Sequence, residues 1–189
     1  MSQSKWSKVV AAKRTWDPVA GGRRSLVWWI DDLAVELGHD PDGSVLSAIT
    51  ELALTGNYYP MHVIHFDGLF RAEARHLVPG DRILQTLKIG PLSLWSGAEI
   101  FLAECSESDC NIGYVTTSVH HGRGVWQARI FREGTMLMLR VRSQSGPQSW
   151  AFWAGLPLAR YLQKRARRKA IERFQKMCSE PKPTDAAKT

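Results

Sequence analysis

The chain has 189 residues, of which 44% are hydrophobic and 23% charged, a balance that is ordinary for one globular domain. No run of 18 apolar residues occurs and the start lacks the apolar stretch of a secretory signal, so we expect no transmembrane helix and a cytoplasmic location. The net charge of +7 favours an acidic partner, and eight tryptophans indicate either a large core or an aromatic-lined cavity.

The first third of the chain predicts an arm, a strand and a helix. Residues 1–24 are basic, poorly patterned and interrupted by proline and glycine, which predicts a loosely docked arm. Residues 25–38 alternate as a half-buried strand does. Ser44 is the predicted N-cap of a helix that stops at Gly56-Asn57.

From about residue 61 to 144 the hydrophobic period is two, which predicts an antiparallel meander with short polar turns. The predicted strands are 62–66, 69–77, 82–89, 93–104, 111–119, 125–132 and 135–143.

The last third predicts one long helix over 148–178, with a break near Gly155 and Pro157, followed by a disordered tail over 179–189. Its apolar stripe at i, i+4 spacing consists of Leu158, Leu162, Ala166, Ala170, Phe174 and Cys178. A sheet with one apolar face needs a cover, and this helix supplies it. The predicted fold class is therefore α+β, with residues 25–178 forming a curved antiparallel sheet that grips the helix and leaves a cavity between them.

Three stretches resemble one family in particular. They are VPGDRILQTLKIGPLSLW at 78–95, GYVTTSVHHGRGVWQARI at 113–130 and the helix segment from Ser145 to Phe174. Together they resemble the domain-of-unknown-function family nineteen-ninety, a START-like (Bet v 1-like) group, over roughly residues 33–175. The resemblance implies a helix-grip fold and carries no established catalytic motif. Where the family has two acidic residues, this chain has Val125 and Trp126, and either His120 or His121 matches the family histidine.

The candidate catalytic residues surround the predicted hairpin at 120–124. His120 or His121 could act as a general acid–base, with Tyr114 or Arg129 on the flanking strands as partner. A histidine that only stabilises the turn is the alternative. Arg129 faces water if Trp126 faces the core and enters the cavity if the parity is reversed, and the sequence leaves the parity open.

Aromatic residues provide the candidate ligand contacts. Trp126, Trp150, Trp153 and Tyr161 could stack on a planar ligand, and packing against the sheet rim is the alternative. His62, His65 and Asp67 do not share one strand face, so no metal site is predicted. No cofactor-binding motif occurs, which disfavours phosphoryl transfer, dinucleotide redox chemistry and serine hydrolysis.

Two further features bear on location and partners. The three cysteines form no metal-binding spacing; Cys105 and Cys110 could face each other across a hairpin, but free thiols are the interpretation adopted. The basic residues of the last helix predict a solvated face, with peripheral contact to an anionic membrane as the alternative. No nucleic-acid-binding motif accompanies them.

Three functional hypotheses follow. The first is a domain that binds a small, largely apolar molecule in the cavity. The second is a cofactor-free cyclase, dehydratase or isomerase acting there, and the third is an interaction protein that uses the basic helix on an anionic surface. The sequence identifies neither the ligand nor the oligomeric state, and it leaves open whether the protein is an enzyme.

Overall fold

The computed structural model describes residues 3–18, 29–148 and 156–180. Its helices are α1 (Gln3–Ala11), α2 (Ser44–Leu54), α3 (Leu69–Ala72) and α4 (Leu156–Ser179). Its strands are β1 (Trp29–His39), β2 (Ile64–Asp67), β3 (Arg82–Ile89), β4 (Leu92–Cys105), β5 (Asp109–Thr116), β6 (Gly122–Glu133) and β7 (Met136–Pro147).

The strands form a seven-stranded antiparallel sheet in the order β1-β7-β6-β5-β4-β3-β2. The meander predicted from the period-two pattern is confirmed for β3 to β7. The register shifts between Glu36 and Gly38 in β1 and between Ile100 and Leu102 in β4. Such irregularities increase the local twist of a strand, and here they help the sheet to curve.

Helix α4 covers the inner face of this curved sheet, and the helix-grip architecture is thereby confirmed. Four residues of the predicted stripe are buried, namely Leu162, Ala166, Ala170 and Phe174, and the last three belong to the core shared with the sheet and α2. The spacing of four residues places them on one side of the helix. The two alanines let the backbone of α4 come close to the strands. Leu158, the first residue of the predicted stripe, is instead 54% exposed.

Gly38 shows how closely α4 approaches β1. A Cβ at this position would lie 2.6 Å from the Cβ of Cys178, a distance that real side chains do not adopt. The φ angle of Gly38 is also +145°, which L side chains rarely adopt. Glycine is therefore required where the end of the helix crosses the strand.

The N-terminal segment is docked, which corrects the prediction of a loosely held arm. Val9, Ala12 and Trp16 are buried, and α1 packs on β3 and β4 on the sheet face opposite α4. Arg14 also donates hydrogen bonds to the buried carboxylate of Glu99. These apolar residues are widely spaced in a basic segment, so the sequence pattern did not predict that the segment is docked.

The start of α2 differs from the prediction that Ser44 caps it. The N-cap position is Gly43, which has a left-handed backbone with φ 77°. The buried carboxylate of Asp40 accepts hydrogen bonds from the backbone N–H groups of Val45 and Leu46, at 3.0 and 2.9 Å. A carboxylate at a helix N-terminus satisfies otherwise unpaired donors and complements the helix dipole.

The strand predicted over 69–77 was wrong. Only Leu69–Ala72 is regular, and it forms the short helix α3. Arg71 donates from Nε to the carbonyl of Phe66 at 2.6 Å, and Arg75 forms two hydrogen bonds of 2.7 Å with Asp81. These local bonds hold the segment away from the sheet. The strand predicted at 62–66 is β2, which begins two residues later.

Cys105 and Cys110 are directly opposite each other on β4 and β5 and form a disulfide. The interpretation as free thiols is corrected for this pair. Cys178 is free and half-buried. Within the described ranges, no helix has the length and apolarity needed to cross a membrane.

The packing of α4 yields a test with an internal control. We expect Phe174→Ala to lower the free energy of unfolding by about 3–5 kcal/mol, because the buried ring would leave a cavity. Leu158→Ala, on the exposed part of the same helix, should change it by about 0.5 kcal/mol or less. Urea unfolding followed by circular dichroism measures both. Equal losses for the two variants would contradict the assigned packing face.

Candidate functional site

A cavity of about 120 Å³ lies where α4 crosses the inner face of the sheet. It is bounded by β1, by β5 to β7, by the turn before β6 and by the first half of α4. Its lining combines aromatic rings, charged groups and one histidine. The aromatic residues are Trp29, Tyr59, Tyr114 and Trp126, and the titratable ones include Asp31, His120, Arg123, Arg160, Lys164 and Arg167.

One wall of the cavity is aromatic. Tyr114 and Trp126 are Cα partners on β5 and β6, and their rings stack with centroids 5.2 Å apart and an interplanar angle of 21°. Tyr59 contacts Trp126 at 6.0 Å. Burial raises the pKa of Tyr114 to about 12, so its hydroxyl stays protonated at neutral pH. This wall can contact a flat ring, while the hydroxyl of Tyr114 hydrogen-bonds with the side chain of Gln85, outside the lining of the cavity.

The opposite side is charged. The carboxylate of Asp31 on β1 accepts two hydrogen bonds from the guanidinium of Arg160 on α4 and one from the hydroxyl of Ser143 at 3.3 Å. Arg167, two turns further along α4, lies 3.7 Å from the same carboxylate. The hydrogen bonds from Arg160 are the main reason why the pKa of Asp31 is lowered. Asp31 is therefore ionised and ties β1 to the helix.

His120 is in the turn between β5 and β6, where its ring lines the cavity. An unprotonated Nδ1 accepts from the N–H of Gly122 at 3.0 Å, and a protonated Nδ1 donates to the carbonyl of Gly122 at 2.8 Å. In either tautomer Nδ1 is engaged, so Nε2 is the nitrogen that can act on a bound molecule. Burial lowers the pKa of His120 to about 4, which keeps the imidazole neutral at pH 7.

The structure brings three of the sequence-predicted residues to this cavity, namely Tyr114, His120 and Trp126. His121 is exposed beside the turn. Tyr161 is 58% exposed on α4. Trp150 and Trp153 lie outside the described residues.

Arg129 is on the outer face of the sheet and does not enter the cavity. Its guanidinium pairs with the carboxylate of Asp109 on β5. The residue directly opposite Arg129 in the register of β5 and β6 is Asn111. The reason is strand parity: Ala128 and Ile130 are completely buried in the core, so the residue between them points to solvent. The assignment of Arg129 as a candidate catalytic residue is thereby corrected.

Asp31, Arg160 and Arg167 were missed as members of the site. Two signals in the sequence could have found them. Asp31 has the same strand parity as the inward-facing Leu33 and Leu37, and a carboxylate on that face needs a partner. Arg160 and Arg167 are seven residues apart, which places them on one side of the helix.

The basic helix is less free than its composition suggests. Six of its eight cationic side chains have an acceptor within the chain. Arg160 and Arg167 face Asp31, and Arg173 donates to the carbonyl of Asn57 at 2.9 Å. The others with an acceptor are Arg168, Lys169 and Lys176, which pair with glutamates on the helix or just after it.

A second depression, of about 410 Å³, lies beside Trp16 on the outer face of the sheet. It borders Pro18 and Ile30, between which residues 19–28 lie outside the described part of the chain. Neither a histidine nor a tyrosine lines it. Within the described residues, no group of three or more histidine, cysteine or acidic residues is arranged to hold a metal.

The lowered pKa of His120 predicts a stability change with pH. A histidine whose pKa is lower when folded than when unfolded binds fewer protons in the folded state, so stability is lost as the pH falls from 6.5 towards 4. This decrease in the free energy of unfolding should reach up to about 3 kcal/mol in the wild type. We expect His120→Asn, which keeps a group near the position of Nδ1, to remove it. Urea unfolding at pH 7.0 and 4.5 measures it.

The matched control is His121→Asn, at the exposed neighbouring position. It should leave the pH dependence of the unfolding free energy as in the wild type. The burial of His120 is refuted if His120→Asn and the wild type lose equal stability between the two pH values.

Comparisons with known proteins agree on the fold. No family model matches the chain, and no curated protein matches it. The solved structure of TTHA0849 from Thermus thermophilus superimposes with a TM-score of 0.54 at 9% identity, over 79% of this chain and 97% of that one. The KanY protein superimposes with a TM-score of 0.51 at 11% identity, over 80% and 98%.

The di-domain ARO/CYC StfQ from the steffimycin biosynthetic pathway is also similar, with a TM-score of 0.46 and 12% identity over 82% of this chain and 51% of that one. Identities this low concern the fold alone. The chain thus shares with TTHA0849 and KanY the fold of a curved antiparallel sheet that grips a long C-terminal helix, while no family model confirms the resemblance to family nineteen-ninety.

Proposed function

We propose that the protein binds a small planar molecule in the cavity between the sheet and α4. The observation that carries the proposal is the aromatic wall of Tyr59, Tyr114 and Trp126 facing a partly open cavity of about 120 Å³. An apolar cavity of roughly 150 Å³ accommodates benzene, so a space of this size suits one ring. The rest of a larger ligand would extend towards the exposed side chain of Lys164.

The resemblance to family nineteen-ninety is consistent with this proposal. Trp126 stands at one of the two positions where that family has acidic residues, and here its ring forms the centre of the aromatic wall. Replacing a charge with an indole changes a polar surface into one suited to stacking. Val125, the other replaced position, precedes it on β6.

The proposal predicts that the purified protein carries or accepts such a ligand. Native mass spectrometry followed by denaturing extraction should reveal an organic molecule bound at one copy per chain. If the protein is isolated without one, planar small molecules should raise its melting temperature. An unliganded mass combined with no stabilisation by any planar compound would contradict the proposal.

Two matched variants locate the ligand. Ala166 lines the cavity, whereas Ala170, one turn later, is equally buried without lining it. Leucine at either position should cost about 1–3 kcal/mol of stability through overpacking. Only Ala166→Leu should also abolish ligand binding, because its side chain would occupy the cavity. Full retention of ligand by Ala166→Leu would place the ligand elsewhere.

A second candidate function is a cofactor-free cyclase, dehydratase or isomerase in the same cavity. The observation that favours it is His120, whose engaged Nδ1 leaves Nε2 for proton transfer next to a bound molecule. A neutral imidazole at pH 7 is in the state that a general base needs.

This candidate is separated from simple binding by turnover. Apo protein is incubated with the extracted ligand, and mass spectrometry with chromatography follows any isomer or dehydrated product. We expect His120→Asn to lower the rate by at least about 100-fold with ligand affinity kept within a few fold. His121→Asn should react as the wild type does. Equal rates for His120→Asn and the wild type would exclude His120 as the acid–base.

A further inference from the structure

Cations outnumber carboxylates around the cavity. Its lining includes Arg123, Arg160, Lys164 and Arg167, and among the described residues the single carboxylate that lines it is that of Asp31. Four positive groups against one negative group give this small space a net positive charge. An anionic ligand group would restore the balance.

Asp31 cannot satisfy all of these cations, because its oxygens are already engaged. Arg160 donates two hydrogen bonds to it, and Ser143 donates a third. Arg123 is engaged as well, since its Nε donates to the carbonyl of Pro147 at 2.9 Å. Lys164 is exposed to solvent, which leaves Arg167 as the half-buried lining cation with no hydrogen bond among the described residues.

Arg167 lies 3.7 Å from Asp31, which is beyond hydrogen-bonding distance. Within the described part of the chain, this ion pair is its one polar contact. Its side chain is only 22% exposed. A guanidinium has five N–H donors, and Asp31 accepts none of those of Arg167 within hydrogen-bonding distance. A carboxylate on a bound molecule could accept from two of them.

The charge of Arg167 acts at the aromatic wall. Burial raises the pKa of Tyr58 and of Tyr59, and in both cases the positive charge of Arg167 opposes the rise. Tyr58 and Tyr59 both contact the ring of Trp126, at 5.1 and 6.0 Å. Arg167 and the aromatic rings of Tyr59 and Trp126 therefore line one and the same cavity.

We propose that the cavity takes a planar molecule that carries a carboxylate, with the ring against Tyr59 and Trp126 and the carboxylate on Arg167. The inference rests on the proposed function and specifies the class of its ligand. A guanidinium recognises a carboxylate through two parallel N–H donors, as Arg160 already does with Asp31 in this cavity. The carboxylate of the ligand would accept two hydrogen bonds from Arg167, as the carboxylate of Asp31 accepts two from Arg160.

The test uses acids and amides of the same shape. Isothermal titration at pH 7 and low salt compares benzoate with benzamide and 2-naphthoate with 2-naphthamide. We expect the acid of at least one pair to bind the wild type at least tenfold more tightly than its amide. Arg167→Met, which keeps the aliphatic stem, should weaken acid binding to the level of the amide and change amide binding less than threefold.

Arg165→Met is the matched control, because Arg165 is exposed on the same helix and does not line the cavity. It should preserve the preference for the acid. Arg167→Lys, which keeps the charge without the planar fork, should retain part of that preference. Circular dichroism verifies the fold of each variant, and if Arg167→Met does not fold, the wild-type comparison and Arg167→Lys decide.

The outcomes separate the two proposals. Acids and amides that bind the wild type equally would overturn the carboxylate inference and leave the proposed binding of planar molecules standing. An acid preference that survives in Arg167→Met would overturn the role of Arg167. If no member of either pair binds and no planar compound stabilises the protein, the proposed function itself fails, and this inference fails with it.

Discussion

The structure depends on one packing constraint, which is the burial of α4 against the inner face of the sheet. Leu162, Ala166, Ala170 and Phe174 supply the contact, and the small alanines let the helix approach closely. A single helix cannot fill the whole concave face of a curved seven-stranded sheet. The space left beside its first half is the cavity, so the site follows from the same geometry that forms the core.

The ion pair between Asp31 and Arg160 links the edge strand β1 to α4 at the margin of this cavity. Both side chains are largely buried, and breaking such a pair by removing one partner is strongly destabilising. The interaction therefore has two consequences. It positions the first half of the helix over the sheet, and it leaves the neighbouring Arg167 facing the cavity without a close hydrogen-bond acceptor.

The sequence predicted the elements with strong periodicity and failed where local hydrogen bonds or distant contacts decide. The strand predicted at 69–77 became α3 because Arg71 and Arg75 bond to backbone and side-chain groups at its ends. The segment predicted as a loose arm instead forms α1 and the residues after it, and it packs on the outer face of the sheet with Val9 and Trp16 buried. Single sequence windows contain no information about such partners, which lie far away along the chain.

The sequence by itself determined the fold class, since period-two strands followed by one long amphipathic helix have few ways to bury their apolar faces. It also named Tyr114, Trp126 and the pair His120 and His121 as candidates, of which Tyr114, His120 and Trp126 line the cavity. Only the tertiary structure decided that Arg129 faces solvent, because Val125 and Phe131, which share its parity in β6, are apolar as well, and strand parity is set by packing. It alone paired Asp31 with Arg160 across 129 residues, because charge partners are selected by proximity in the folded chain.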